Sequence, residues 1–355
     1  KRIVVLCGGD SAERDVSLTT GQAVCSALRA SGWQVETYDA RRGADLSWLR
    51  SADVFYNALH GEFGEDGTVQ GVLSFANKAY SGSGIAASAL TIDKSRTKYI
   101  AQGHGLQIAD SIALDAEALA IVARDSRADR PDRDLSDLLT PALAAGIHRL
   151  QARASKIVIK PNAEGSSVGL DIVDQTDILS GLRRYVKTYV ELLNGTDRLP
   201  PVILEQYING IELSVAVISV GSHVEAVGVA EIELASDTYN YEAKYKSSSN
   251  TYHCPARISE ETTTQLLEDA RAIHLACGCN GISRSDFILP ASSSDPVTDG
   301  NVRQGYFLET NTSPGMTPSS LYPKIAGARG YSFSDVVHWS LASSLGVDSS
   351  VKEER

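Results

Sequence analysis

No run in this 355-residue sequence comes near the roughly twenty consecutive apolar residues that a membrane-spanning helix needs, although apolar residues make up 43% of the chain and charged ones 22%. That balance is a globular protein's, and the length suits two or three domains. Basic residues are the scarcer sign: 33 Lys and Arg face 44 Asp and Glu, a formal net charge of -11. Such a surface repels nucleic acid and anionic membrane, so neither is expected as a partner, while a local basic pocket can still hold phosphate. Cysteine is sparse too. Cys7, Cys25, Cys254, Cys277 and Cys279 make no evenly spaced disulfide framework, and Cys277-Gly278-Cys279 lacks the second pair of a zinc site, so reduced thiols and a cytoplasmic location are expected. The opening "KRIVVLCGG" has neither a secretion signal's pattern nor an initiator methionine, and the numbered chain is expected to omit a few residues. Nucleotide loops are missing as well: "CGGDSAE" and "SGSG" do not fit G-x-G-x-x-G, and no G-x-x-x-x-G-K-[ST] occurs. No internal repeat is evident.

What is present reads first as α/β. "RIVVLCGGD" is a β-branched strand ending in glycines, followed by a helical pattern from Thr19 to Ala30 and a strand at "QVETYDA". "DVFYNALHG" repeats the theme, and "AYSGSGIAASALTIDKSRTKYIAQGHG" predicts a strand end, a glycine turn and one long helix. Strands alternating with helices imply a parallel sheet. Residues 124–137 are charged or small and predict a solvated insertion. Order returns with the strand "KIVIKP", a helix over 177–190 and the strand "PVILEQYI". From Glu212 to Glu233 strand composition with a central glycine predicts an antiparallel hairpin, and residues 236–256 predict a long functional loop. A helix from Glu260, the strands "SRSDFIL" and "GYFLETN", and a helix near 333–345 complete the chain.

Several clusters carry possible chemistry. In "KPNAEGSSVG" a lysine ends an apolar strand and is followed by backbone N–H groups and two hydroxyls that can fold over phosphate; alone, the segment reads first as an ordinary surface turn. Glu309 and Asn311, two apart on a strand, face one side, and with Asp286 they offer the few hard oxygens that suit magnesium shared with substrate phosphates. Alone, this is also what an acidic strand edge looks like. Arg284, two residues before Asp286, adds a fixed cation, and Lys94, Lys160 and Lys244 add three more to a negatively charged chain. His60, between a strand and the acidic glycine loop "GEFGEDG", is given a supporting role.

Taken together and in order, "GGDSAERDVSL", "ALHGEFGEDGTVQG", "YSGSG", "KPNAEGSSVG", "YNYEAKY", "SRSDF" and "LETNTSPGMTPSSL" resemble the signature segments of D-alanine–D-alanine ligases of the ATP-grasp superfamily, from residue 3 to about 340. The resemblance implies an ATP-grasp α/β fold: a Rossmann-like parallel-sheet domain over 1–105, a central ATP-grasp domain over 106–210 and a catalytic ATP-grasp domain over 211–355. It implies that Glu13 holds the ammonium of the first D-alanine and that His60 supports substrate binding. Lys94, Lys160 and Lys244 would contact ATP phosphates under Ser166 and Ser167, with Glu205 on the adenine amine and Glu212 on the ribose hydroxyls. Asp286, Glu309 and Asn311 would hold two magnesium ions, or manganese. Arg284 and the Gly315 N–H would stabilise the oxyanion, and Ser320 and Leu321 would meet the second D-alanine. Tyr245 would close the site with Ser166 and Glu13. The implied reaction makes an acyl phosphate from one D-alanine and ATP, then joins the second through a tetrahedral intermediate, for peptidoglycan synthesis. A cytoplasmic homodimer is what such a family implies.

The chain departs from that pattern at three places. Gln206 stands where a lysine is common, a proline often found around "GLQIAD" is missing, and the stretch 124–137 lengthens the middle. The alternatives are ligases forming D-alanyl-D-lactate or D-alanyl-D-serine, or another ATP-grasp carboxylate–amine ligase. Lactate-preferring relatives lack the "YEAKY" segment, which favours the dipeptide here. A nucleotide-binding module without activity would not need Arg284, Asp286, Glu309 and Asn311 together.

Overall fold

Ile3, Val4, Val5 and Leu6 place apolar side chains on both faces of strand β1 (Arg2–Cys7), and both faces are buried. That is the requirement of a strand inside a parallel sheet covered on both sides. In this computed structural model, which describes residues 2–127, 135–165, 169–192, 199–233, 251–291 and 304–345, β1 lies between β2 (Gln34–Asp39) and β3 (Val54–Asn57), with β4 (Ala79–Tyr80) beyond β3. All three pairings are parallel. Helix α1 (Arg14–Ala30) starts at Arg14 and not at Thr19 as the periodicity predicts, because residues 14–17 are mostly polar and carry no apolar period. Ser17 shows why they are helical: its buried Oγ accepts from the Gly8 N–H at 2.9 Å and donates to the Ala58 carbonyl at 2.8 Å, pinning the first turn to the sheet.

After α2 (Thr68–Phe75), the one long helix expected over 85–103 is two. Helices α3 (Ile85–Ile92) and α4 (Lys94–Gly103) meet at Asp93, which leaves the helical region at φ -82°, ψ 98° and whose carboxylate accepts from the Arg96 N–H at 3.0 Å. An aspartate N-cap competes with continuation of the helix, so the periodic apolar pattern ran across a real boundary. The break makes Lys94 the first residue of α4, with its N–H bonded to the Asn162 carbonyl at 2.9 Å.

β5 (Gln107–Ile108) adds to an edge described below, and β6 (Ser111–Leu114) starts a second sheet of order β6-β9-β7-β8, built with β7 (Lys156–Pro161), β8 (Asp171–Asp174) and β9 (Val202–Gln206). Its pairings are antiparallel. Helices α5 (Ala116–Arg127), α7 (Pro141–Arg153) and α8 (Ile178–Leu192), with the short α6 (Leu135–Leu138), share its core. The stretch 124–137 is thus not simply a solvated insertion: Asp125 is buried and ion-paired to Arg183 at 2.8 Å, and Leu135 is a core residue. Residues 128–134 lie outside the described residues.

The third sheet has the order β12-β11-β10-β13-β14-β5. The expected hairpin is β10 (Gly210–Val220) and β11 (His223–Glu233), turning at Gly221, φ 61°. β12 (Thr251–His253), β13 (Gly281–Pro290) and β14 (Tyr306–Asn311) pair antiparallel, while β5 joins β14 in parallel. Helix α9 (Glu260–Ala276) packs its apolar stripe behind this sheet against Leu213, Val215 and Phe287. Helices α10 (Leu321–Ala328) and α11 (Phe333–Leu345) enter a single core with β1, β3 and α1. No described helix is long and apolar enough to cross a membrane.

Candidate active site

Strand register builds the centre. Arg284 lies opposite Asn311 and Asp286 opposite Glu309, so alternation puts all four on one face of β13 and β14, while Ser285 and Thr310 face the other way and bond each other at 2.8 Å. On β10, Ser214 lies opposite Asp286, and Glu212, two residues earlier, shares that face. Arg284 grips Asp286 with both prongs, Nε to Oδ1 at 2.9 Å and Nη2 to Oδ2 at 2.8 Å, and Ser214 Oγ donates to Oδ1 at 2.5 Å. A bulge between Asp286 and Phe287 shifts the register next to this pair, and pairing resumes with Phe287 opposite Phe307. Asn311 Oδ1 accepts from the Ser313 N–H at 2.7 Å, which turns the chain into the segment 312–320. Two carboxylates and an amide oxygen on one face are hard donors, too few to enclose a cation, so they fit magnesium completed by phosphate oxygens.

A lysine meets this face directly, and two more gather at Glu205 of the second sheet. Lys94, at the start of α4, pairs with Glu309 Oε2 at 3.0 Å and donates to the Glu164 carbonyl at 2.6 Å. Lys160, on β7, pairs with Glu205 Oε2 of β9 at 2.6 Å. Lys98 reaches the same carboxylate from one turn along α4 and also donates to the Phe307 carbonyl at 3.0 Å. Burial alone would push Glu205 up, but Lys160 and Lys98 outweigh it and hold the carboxyl below its ordinary value. Burial is the main cause that lowers Lys98. Glu205, expected to read an adenine amine, has its carboxylate committed to two ammonium groups. Lys98 did not emerge from the sequence, although its spacing of four from Lys94 put both on one helix face.

The N-terminal sheet supplies the opposite wall. Glu13, at the start of α1, extends its carboxylate between Gly61 and Gly165: a Cβ at those glycines would lie 3.0 and 2.9 Å from Glu13 Oε2. His60 is buried after β3, with Nε2 3.1 Å from Thr20 Oγ1 and Nδ1 3.4 Å from Glu65 Oε1. Burial opposes its protonation, yet Glu65 and Glu13 raise its pKa, while burial raises that of Glu65. Glu65 was legible only as part of an acidic glycine loop. Ser313 Oγ donates to the Leu59 carbonyl at 3.2 Å, tying the 312–320 segment to the residue before His60. At that segment's far end, Ser320 Oγ accepts from the Thr317 N–H at 3.1 Å and would lie 3.2 Å from a Cβ on Gly315, and Leu321 opens α10. Contacts and strand register thus link Lys94 with Glu309, Lys160 with Glu205, Glu212 and Arg284 with Asp286 and Asn311, and Glu13 with His60, whereas Gly315 and Ser320 are placed against each other within their own segment, which Leu321 follows. Ser166, Ser167, Lys244 and Tyr245 lie outside the described residues.

A second metal-capable group, Glu231, Glu233 and His253, sits on β11 and β12. Arg257 donates to both carboxylates, at 2.5 Å to Glu231 and 2.9 Å to Glu233, and His253 Nε2 lies 2.7 Å from Glu233, so the group is joined in one ion-pair network.

A parallel sheet followed by an antiparallel and a mostly antiparallel sheet, with lysines of α4 and β7 set against carboxylates of β9 and β14, is the ATP-grasp α/β fold of an ATP-dependent ligase. Residues 149–341 match the family model for the D-ala D-ala ligase C-terminus, and residues 36–83 that for the N-terminus. The chain is 38% identical to the D-alanine–D-alanine ligase of Nitrosomonas europaea, over 95% of this chain and 94% of that protein, and 36% identical to that of Bartonella henselae, over 96% of each. It superposes on the VanG D-Ala:D-Ser ligase from Enterococcus faecalis with a TM-score of 0.72 at 25% identity, covering 98% of this chain and 99% of the other. On the Bacillus anthracis D-alanine–D-alanine ligase complexed with ATP the score is 0.69 at 26% identity, with 97% of each chain covered. The chain belongs to the D-alanine–D-alanine ligase family.

Proposed function

We propose that this chain joins two D-alanines at the expense of ATP, giving D-alanyl-D-alanine for peptidoglycan precursors. The observation that carries the reading is the single face on which Arg284, Asp286, Glu309 and Asn311 converge, with Lys94 bonded to Glu309. Family membership supports the same activity.

The chemistry follows from charge. A carboxylate does not react with an amine, so the first D-alanine is activated as an acyl phosphate, and the second then attacks it through a tetrahedral intermediate. Lys94 and Lys160 offset charge on the phosphates of ATP, with Glu212 near the ribose and Glu205 fixing both Lys160 and Lys98 on the nucleotide side. Asp286, Glu309 and Asn311 would hold magnesium, two ions, or manganese in its place, which when bound would supply Lewis-acid neutralisation of charge on the phosphoryl group. Glu13 takes the ammonium of the first D-alanine, and His60 orients from behind. Arg284, already held rigid by Asp286, and the Gly315 N–H meet the oxyanion without reorganisation. Ser320 and Leu321 bound the second D-alanine. Ser166, Ser167, Lys244 and Tyr245 keep the roles that the family pattern suggests for phosphate contact and closure. We further assign the chain three parts (1–105, 106–210 and 211–355), a cytoplasmic location and a homodimeric state.

The test is product identification by mass spectrometry after incubation with ATP, magnesium and D-alanine alone or with D-serine or D-lactate in competition. D-alanyl-D-alanine as main product is expected. A mainly D-seryl or D-lactyl product would overturn the choice of second substrate, and no ATP-dependent product would overturn the reading.

A further inference from the structure

Helix α8 carries none of the groups assigned above, yet one of its side chains reaches towards them. Tyr189 is 2% exposed, packed in the core of the second sheet with its ring 4.6 Å from that of Tyr185. Its hydroxyl donates to Glu164 Oε2 at 2.8 Å. The backbone carbonyl of the same Glu164 accepts from Lys94 Nζ at 2.6 Å, and Lys94 Nζ pairs with Glu309 Oε2 at 3.0 Å. The contacts run unbroken from a core tyrosine to a phosphate lysine and a metal ligand. The same ring also braces the chain at Gly169: that residue has φ 73°, and a Cβ there would lie 2.6 Å from Tyr189 Cε2. One aromatic side chain thus fixes residues 164 and 169, on either side of the glycine-serine segment.

We propose that Tyr189 is a positioning residue that sets the place of the Lys94 ammonium by holding Glu164. A lysine has four side-chain rotors, and its ammonium is only as well placed as its acceptors. Asp93 and Asn162 fix the backbone of Lys94, and Glu164 fixes its tip. A buried phenol is costly unless bonded, so a ring needed for packing alone would be served as well by phenylalanine. The proposal rests on the reading that Lys94 contacts ATP phosphate.

The experiment compares the wild type with Tyr189→Phe, Glu164→Ala, Glu164→Gln and Lys94→Met. Calorimetry measures affinity for the non-hydrolysable nucleotide AMP-PNP with magnesium, steady-state kinetics measures KM for ATP and for D-alanine, and melting reports stability. Tyr189→Phe is expected to weaken AMP-PNP binding and raise KM for ATP about tenfold, the worth of one lost hydrogen bond to a charged group, with KM for D-alanine changed by less than about twofold. Glu164→Ala should match it, and Glu164→Gln, whose amide oxygen still accepts the phenol, should restore tight binding. Unchanged nucleotide affinity in Tyr189→Phe while Lys94→Met loses it would overturn the inference alone. A loss spread equally over ATP and D-alanine with a lowered melting temperature would also overturn it, leaving Tyr189 as packing. Unchanged nucleotide affinity in Lys94→Met would overturn the reading beneath it.

Discussion

Glu309 faces two partners from one carboxylate: Lys94 at 3.0 Å, and the face it shares with Asp286 and Asn311. Glu309→Gln keeps the shape and removes the charge, so turnover should fall on the order of 100-fold, with the magnesium midpoint displaced upwards and the melting temperature little changed. A magnesium titration of phosphate release decides, and wild-type turnover at ordinary magnesium would remove Glu309 from the metal set. Lys98 makes a different prediction, one of stability. It is 2% exposed and shares Glu205 with Lys160. Lys98→Met removes one of two counter-charges from a buried carboxylate. The expected cost is about 3 kcal/mol, the low end for breaking a buried pair because Lys160 remains. Urea denaturation measures it, and a variant as stable as wild type would mean that burial of Lys98 roughly cancels its attraction to Glu205.

At the level of elements, what the sequence disclosed was what repeats along a strand. β1, the β10–β11 hairpin and the pair β13–β14 were legible because β-branched runs and i, i+2 spacing are local signals, and with them came Arg284, Asp286, Glu309 and Asn311 on one face. The break at Asp93 was not, since an N-cap inside a continuous apolar pattern leaves the period intact. Nor were the Lys98–Glu205 and Tyr189–Glu164 contacts or the one between His60 and Glu65, since the fold alone brings those partners together. Helix α9 illustrates how such hidden contacts weigh on stability. Its His274 is fully buried between β13 and β10, with Nδ1 2.7 Å from Ser283 Oγ and Nε2 3.0 Å from Ser219 Oγ. Burial lowers its pKa to about 4 from 6.5. The folded state therefore refuses a proton that the unfolded chain accepts, so this contribution is intact above pH 6.5 and is lost as pH falls from there towards 4. The full loss approaches about 3 kcal/mol at roughly 1.4 kcal/mol for each pKa unit. His274→Gln should flatten that part of the stability profile between pH 7 and pH 5, and a slope as steep as the wild type's would assign the acid sensitivity to other groups.

The whole molecule divides its cores unevenly, and the division bears on the active site. Glu13 and His60 hang from the N-terminal parallel sheet, while Arg284, Asp286, Glu309 and Asn311 hang from the third sheet. These two walls are not separately supported. Ile3, Val5, Val24, Leu28 and Tyr56 of the first sheet and α1 form one cluster with Ala216 and Ile218 of β10, Ile325 of α10 and Val336, Val337 and Leu341 of α11. The second sheet, with Lys160 and Glu205, has its own cluster around Leu119, Ile147, Ile159 and Leu182. A shared close-packed core transmits a defect to both of the elements it joins, so the wall with Glu13 and His60 and the wall with Arg284, Asp286, Glu309 and Asn311 should loosen together, and the second sheet independently. Leu341→Ala, a cavity in the shared cluster, should cost about 2–5 kcal/mol. In native-state hydrogen exchange the amides of β1 and β3 should lose protection in step with those of β10, although Leu341 lies far from both strands in sequence. The amides of β7 and β9 should keep theirs. Loss confined to α11 would mean that the N-terminal sheet stands without it, and loss spread equally into β7 and β9 would mean that all three sheets open as one unit; either outcome would refute the pairing of the first and third sheets through a common core.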